Sequence, residues 1–306
     1  MIVTIAGCGA LGGVIAAHLL EGGLQVQAFQ RKGKTLDALK EKGVTILSED
    51  RKSSNSYPLT AVSDAISELL PTELIIVLVK SYDTESLLPL RGLLLQGGAV
   101  LTLQNGLGNA ETLSDIFGES KVAAGITTYG GVTLSPGVVM EGLKGSITFG
   151  PWSGEGMEWI AETLGKAGLR IDHVRDPKPL LWKKLCMNAM ANPVFALTGI
   201  PVRDISRNTF ALDLMEHLGK EVVEAAARSG VILDFDENWK FLMDHSKKAS
   251  DHKPSMLQDI EAGRRMEVQG ILGGILAYAG DEKEFPYTRS LYDLLMAIDS
   301  SRGNYQ

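Results

Sequence analysis

Along the first part of the chain, short apolar runs alternate with stretches of helical period. MIVTIAG (1–7) is an apolar run of strand length, and LGGVIAAHLLEGG (11–23) repeats apolar residues at helical spacing until two glycines stop it. VQAF and TLDALKEKG repeat the strand–helix pair. Residues 44–60 give short extended pieces around a polar SEDRKSSNS loop. LIIVLVK, DTESLLPLRGLL, GAVLTL, NAETLSDIFG and VAAGITTY then follow as strand, helix, strand, helix and strand. This alternation predicts a mostly parallel sheet with helices on both faces. Near residue 129 the pattern changes. YGGVTLSPGVVMEGLKGSITFGP predicts short antiparallel strands, followed by a helix over 158–167 and a strand over 169–174. From Pro177 onward nearly every residue falls into helical period, so the expected division is an α/β domain over 1–175 and an all-α domain over 176–306.

The 306 residues suffice for these two domains, and 44% hydrophobic with 22% charged residues suits packed cores. The formal net charge of −7 argues against nucleic-acid binding, because no basic excess is present to neutralise phosphates. No stretch approaches the roughly 20 apolar residues of a membrane span. The apolar start lacks the basic leader of a signal peptide. Cys8 and Cys186 form neither a metal spacing nor a disulfide framework. A cytoplasmic protein with no metal, no membrane and no nucleic-acid partner is expected.

GCGALG (7–12) fits G-x-G-x-x-G, directly after a strand and at the opening of a helix. Gly7 permits the tight turn, Gly9 lets backbone approach a pyrophosphate, and Gly12 lets helix and strand pack closely. The free amides at the helix start favour the anion. Gly7, Cys8, Gly9, Ala10, Leu11 and Gly12 are therefore the expected cofactor contacts of a Rossmann-type dinucleotide-binding domain. A strand–helix turn without a ligand is the other reading. An NAD site usually ends its second strand with an acid; here Gln30 stands there, followed by Arg31, Lys32 and Lys34. That basic cluster suits the 2′-phosphate of NADP, with an ordinary solvated turn as the alternative. Lys80 and Asn105 follow later strands, at the edge where α/β sheets bind ligands.

In LLWKKLCMNAMANP (180–193), Lys184, Asn188 and Asn192 recur every four residues on one side of a largely apolar helix. Asparagine is a poor helix former, so two of them make an odd solvent face. Pro193 is expected to kink or end the helix. In KPSMLQDIEAGRRMEVQGILGGILAYAG (253–280), the 3.6 period puts Ile260, Gly263, Glu267, Ile271, Gly274 and Tyr278 on one stripe of a second helix. Glu267 there needs a partner or a pocket, and Lys184 supplies the opposite charge. His18, His173, His217 and His245 show no ligand spacing and are expected to be structural or at the surface.

GCGALGG, Arg31, LVK, QNGLGN, LWKKLCMNAMANP and PSMLQDIEAGRRMEVQGI together resemble the ketopantoate reductase family (2-dehydropantoate 2-reductase), over nearly the whole chain. The resemblance implies NADPH-dependent reduction of ketopantoate to pantoate, in pantothenate and coenzyme A biosynthesis. It implies that Lys184 is the general acid and that Glu267 binds the substrate hydroxyl and touches the cofactor. Asn188, Asn192 and Ser255 would hold the keto acid in a small-acid pocket, Asn105 would approach both ligands, and Gly131 would line the cofactor site. Two departures stand out: Glu141 where members often have a histidine, and His252–Lys253 where some carry an asparagine. A related NADP-dependent keto acid or hydroxy acid dehydrogenase with another substrate, and a non-catalytic NADP sensor, stay open. A homodimer is an open option.

Overall fold

The computed structural model describes residues 1–48, 52–142, 145–248 and 253–303. Residues 49–51 of the polar loop, 143–144, 249–252 with His252, and 304–306 lie outside them. Two compact units emerge: residues 1–104 with 109–177, and residues 105–108 with 178–306. Asn105 thus belongs with the helical unit, although the sequence pattern puts it among the strands and helices of the first.

The first unit opens β1 (Ile2–Ala6), α1 (Ala10–Glu21), β2 (Gln25–Phe29) and α2 (Lys34–Lys42), followed by β3 (Val44–Leu47), β4 (Ser54–Tyr57) and β5 (Val62–Ser63). Next come β6 (Thr72–Val77), β7 (Leu94–Thr102), α3 (Asn109–Phe117) and β8 (Val122–Thr127). The unit closes with β9 (Gly131–Ser135), β10 (Val138–Glu141), β11 (Ile147–Pro151), α4 (Glu158–Lys166) and β12 (Ile171–His173). The large sheet has the order β12-β11-β8-β7-β6-β1-β2-β5. From β8 to β5 every pairing is parallel, and only β8 with β11 is antiparallel. The central strands β1 and β6 are mostly Val, Ile and Leu and are buried along nearly their whole length, as strands covered on both faces are. The strand order reverses at β1, with β2 on one side and β6 on the other, so a crevice opens beyond their carboxyl ends.

Two segments depart from the pattern. β3, β4, β9 and β10 form one small sheet, in the order β4-β3-β10-β9, in which β3 and β10 pair parallel across a long sequence gap. Ser81–Gly92, of helical period, is a run of 3₁₀ turns. Pro89 lies inside it; proline supplies no N–H and disfavours helical backbone at the residue before it.

The second unit contains α5 (Lys178–Thr198), α6 (Thr209–Arg228), α7 (Phe235–Lys248), α8 (Ser255–Glu261), α9 (Gly274–Leu276) and α10 (Pro286–Ser301). α5 packs on α6 and α8 around Trp182, Leu185, Cys186, Met190 and Phe195. It runs five residues past Pro193. The loss of one backbone hydrogen bond there is tolerated in a helix buried by tertiary packing.

The sequence periodicity over 253–280 predicts one helix, and the structure breaks it. Gly263 adopts φ 64°, its N–H reaches the Ile260 carbonyl at 3.3 Å, and the Arg264 N–H reaches the Asp259 carbonyl at 2.9 Å. These paired bonds form a Schellman stop, which glycine favours because it carries no Cβ penalty in the left-handed region. Residues 264–267 are not helical. A π turn, Gln269–Gly273, then leads into α9, and the Gly270 carbonyl in it accepts the Leu107 N–H at 3.0 Å. Among the described residues no helix is long and apolar enough to cross a membrane.

Candidate active site

The glycine loop is built by contacts that leave no room for side chains at two positions. Gly7 has φ 92°, and a Cβ there would meet the Val79 nitrogen at 2.7 Å. A Cβ on Gly12 would meet the Gly7 carbonyl at 2.2 Å. Gly9 faces open space, with nothing within 4 Å of a Cβ. The loop therefore presents bare backbone at the start of α1, an arrangement that fits a pyrophosphate. Gln30 supports it: its Oε1 accepts the Cys8 N–H at 2.9 Å. Gln30 is thus committed inward, which the sequence pattern did not show. The Cys8 thiol is buried and its pKa is pushed up to about 12, so it is a packing group in the neutral form. Ala10 and Leu11 open α1.

Arg31, at the carboxyl edge of the sheet, is largely exposed, and its Nη1 lies 3.4 Å from Oδ2 of Asp83. Lys32 lies 3.6 Å from Asp64. Lys80 follows β6 and immediately precedes the 3₁₀ run. Gly131 begins β9, where a Cβ would meet Val14 at 2.8 Å and the Ala10 carbonyl at 3.2 Å. It lets the small sheet approach the first turn of α1. Glu141 lies 2.6 Å from His18 Nε2, and both are largely buried. His18 is therefore structural, and Glu141 is its partner.

In the helical unit, the polar side of α5 is an inlay rather than a solvent face. Asn192 is 6% exposed. Asn188 donates through Nδ2 to Oδ1 of Asn105 at 3.3 Å, so these two predicted residues meet. Lys184 has no ion-pair or hydrogen-bond partner among the described residues, and burial lowers its pKa. The expected ion pair with Glu267 is absent there. Glu267 is 6% exposed and stands just before the π turn, where its carbonyl accepts the Ile271 N–H at 3.1 Å. It is not part of a helical stripe, because the Gly263 stop has ended α8. Ser255 is exposed at the first position of α8, the helix that packs on α5.

The Asn105 loop is fastened to the π turn. A Cβ on Gly106, at φ 84°, would meet the Gly270 carbonyl oxygen at 2.2 Å, and Leu107 N–H donates to that same oxygen. The signal in the sequence was the pair of glycines in QNGLGN and the VQGILGG run.

The sequence pattern of "Ketopantoate reductase PanE/ApbA" matches residues 3–154, and that of its C-terminal domain matches residues 177–299. The chain belongs to the ketopantoate reductase family. It is 31% identical over 303 residues to the 2-dehydropantoate 2-reductase of Archaeoglobus fulgidus, covering 97% of this chain and 98% of that protein. The crystal structure of 2-dehydropantoate 2-reductase from Geobacter metallireducens GS-15 superimposes with a TM-score of 0.87 at 28% identity, over 97% of this chain and 99% of the other. A D-mandelate dehydrogenase crystallised with NADH and anilino(oxo)acetate shares the fold, with a TM-score of 0.91 at 23% identity and 99% coverage of both chains. The family is one of oxidoreductases, and the Rossmann-type unit is of the kind that binds a dinucleotide cofactor.

Proposed function

We propose that this protein is the NADPH-dependent reductase of 2-dehydropantoate, forming pantoate for pantothenate and coenzyme A synthesis in the cytoplasm. The observation that carries the proposal is the inlay on α5: a desolvated ammonium at Lys184 with no ion-pair partner among the described residues, one helical turn from an Asn188 already joined to Asn105. NADPH, when bound, supplies the hydride that reduces the ketone carbon. Lys184 donates the proton to the ketone oxygen and stabilises the charge that grows there. Burial lowers the Lys184 pKa, which makes it a better acid at neutral pH than an exposed lysine.

Asn105, Asn188, Asn192 and Ser255 orient the hydroxy-keto acid by hydrogen bonds. Glu267 accepts from the substrate hydroxyl and also borders the cofactor. Gly7, Cys8, Gly9, Ala10, Leu11 and Gly12 offer backbone to the pyrophosphate, Arg31 pairs with the 2′-phosphate, and Lys80, Asn105 and Gly131 complete the cofactor contacts. A non-catalytic NADP sensor has no use for a half-buried ammonium that lacks a partner among the described residues, which is costly to keep without a task.

A second reading keeps the chemistry and changes the substrate to another 2-keto acid. The fold shared with a mandelate dehydrogenase favours it, as does Glu141, which here pairs with His18 where relatives often carry histidine. The test is NADPH oxidation against a panel of 2-keto acids with aliphatic, hydroxylated and aromatic side chains. The proposal expects the highest kcat/KM for 2-dehydropantoate. A clear preference for an aryl keto acid rejects it for the second reading, and no turnover on any acid rejects both.

A further inference from the structure

In the large sheet β1 lies between β2 and β6. Arg31 follows β2, and Asp83 follows β6 in the first turn of the 3₁₀ run. Their 3.4 Å contact therefore spans the carboxyl end of β1, over the strand that feeds the glycine loop. The two groups meet at the reversal of strand order, where a dinucleotide crosses from one side of the sheet to the other. The second strand itself ends in Gln30, whose carbonyl oxygen is occupied by the Cys8 N–H. No carboxylate reaches the crevice from the place where an NAD site usually carries one. Asp83 brings one from the opposite strand.

We propose that Asp83 is a cofactor-selectivity residue, acting against the 2′-phosphate of NADPH and for the 2′-hydroxyl of NADH. The inference rests on the reading of the chain as a nicotinamide-dependent reductase. In the free protein Asp83 holds Arg31. A 2′-phosphate takes Arg31 away from Asp83 and then faces the released carboxylate, so its binding is weakened twice. A ribose with a free 2′-hydroxyl leaves the pair intact and donates to Asp83. The site is thus built for both cofactors, with an ion pair that only one of them has to open. Arg31 is 77% and Asp83 33% exposed, so solvent screening keeps each effect modest.

The experiment is the dissociation constant of NADPH and of NADH, measured by calorimetry without substrate, for the wild type, Asp83→Asn and Arg31→Ala. Asp83→Asn is expected to tighten NADPH and to weaken NADH, each by roughly threefold to tenfold. Arg31→Ala is expected to weaken NADPH and to leave NADH nearly unchanged. If Arg31→Ala weakens NADPH but Asp83→Asn shifts both cofactors alike, or neither, the role of Asp83 is overturned while the NADPH reading stands. If the wild type binds neither cofactor, or Arg31→Ala leaves NADPH affinity untouched, both readings fall. Raising the salt concentration supplies a second readout. The preference of Asp83→Asn between the cofactors should move with ionic strength more than that of the wild type, because in the wild type screening of the Arg31–phosphate attraction is offset by screening of the Arg31–Asp83 pair and of the Asp83–phosphate repulsion.

Discussion

Lys184 carries two opposing demands. Its partial burial costs stability, because the native state holds a half-buried ammonium, partly desolvated, with no partner among the described residues. The native pKa lies below the ordinary lysine value of about 10.4. Between those two values the unfolded chain binds more protons than the native one, so this contribution makes stability rise with pH there. Below the native pKa the full penalty is present. Lys184→Met, which keeps the length and removes the charge, should therefore raise Tm at neutral pH while lowering kcat by roughly 10²–10⁴. Wild-type activity should fall on the alkaline side, with its midpoint below that of an exposed lysine, and this limb should be missing in the variant. Thermal melts and a pH–rate profile check both halves. A variant that melts lower and turns over normally would make Lys184 a structural residue. The α5 inlay was legible in the sequence because asparagines at helical spacing contradict a surface role. The missing ion pair with Glu267 was not legible, since spacing within one helix says nothing of distance to another element.

At the scale of elements, the sequence pattern held where period and stop signals agreed, as in β1, α1 and β6. It failed where a period continued through a stop. Over 253–280 the apolar spacing runs on past Gly263, and only the glycine marks the Schellman end of α8. The parallel pairing of β3 with β10 joins segments that carry no local mark of each other. Element ends also explain carboxylates that have no part in chemistry. Glu221 on α6 is 8% exposed, and its two oxygens accept the N–H groups of Tyr287 at 3.0 Å and Thr288 at 2.7 Å, in the first turn of α10. It caps that helix from outside, where the dipole favours an anion. Glu221→Ala leaves the buried Thr288 N–H and the partly buried Tyr287 N–H without their acceptor and should lower stability by about 1–3 kcal/mol in urea melts, with cofactor affinity unchanged. A loss below about 0.5 kcal/mol would mean that water replaces the carboxylate freely.

For the whole molecule, the division into units assigns the ligands to different reporters. The cofactor loop lies in the first unit, with the Cys8 N–H on Gln30 and the Gly13 N–H on the Gly9 carbonyl at 2.8 Å. The residues proposed for the keto acid lie in the second, with the Leu107 N–H on Gly270 and the Ile271 N–H on Glu267. A ligand that binds only the native state suppresses opening by the factor 1 + [L]/Kd, so NADPH at 100 times its Kd contributes about 2.7 kcal/mol, or about a hundredfold in protection. Hydrogen exchange of the full chain with NADPH alone should slow Cys8 and Gly13 by up to that factor and Leu107 and Ile271 less, because Asn105 and Glu267 are proposed only to border a cofactor that the glycine loop cradles. Adding pantoate should then slow Leu107 and Ile271. The ordering follows from where each backbone bond closes: the first pair closes the glycine loop, and the second fastens Asn105 and Glu267. If NADPH alone protects all four amides equally, the chain opens as one cooperative body, and the separation of cofactor and keto-acid residues into two reporters is wrong. If pantoate protects neither Leu107 nor Ile271, the keto acid does not engage Asn105 or Glu267, and the substrate contacts proposed for them have to be sought elsewhere.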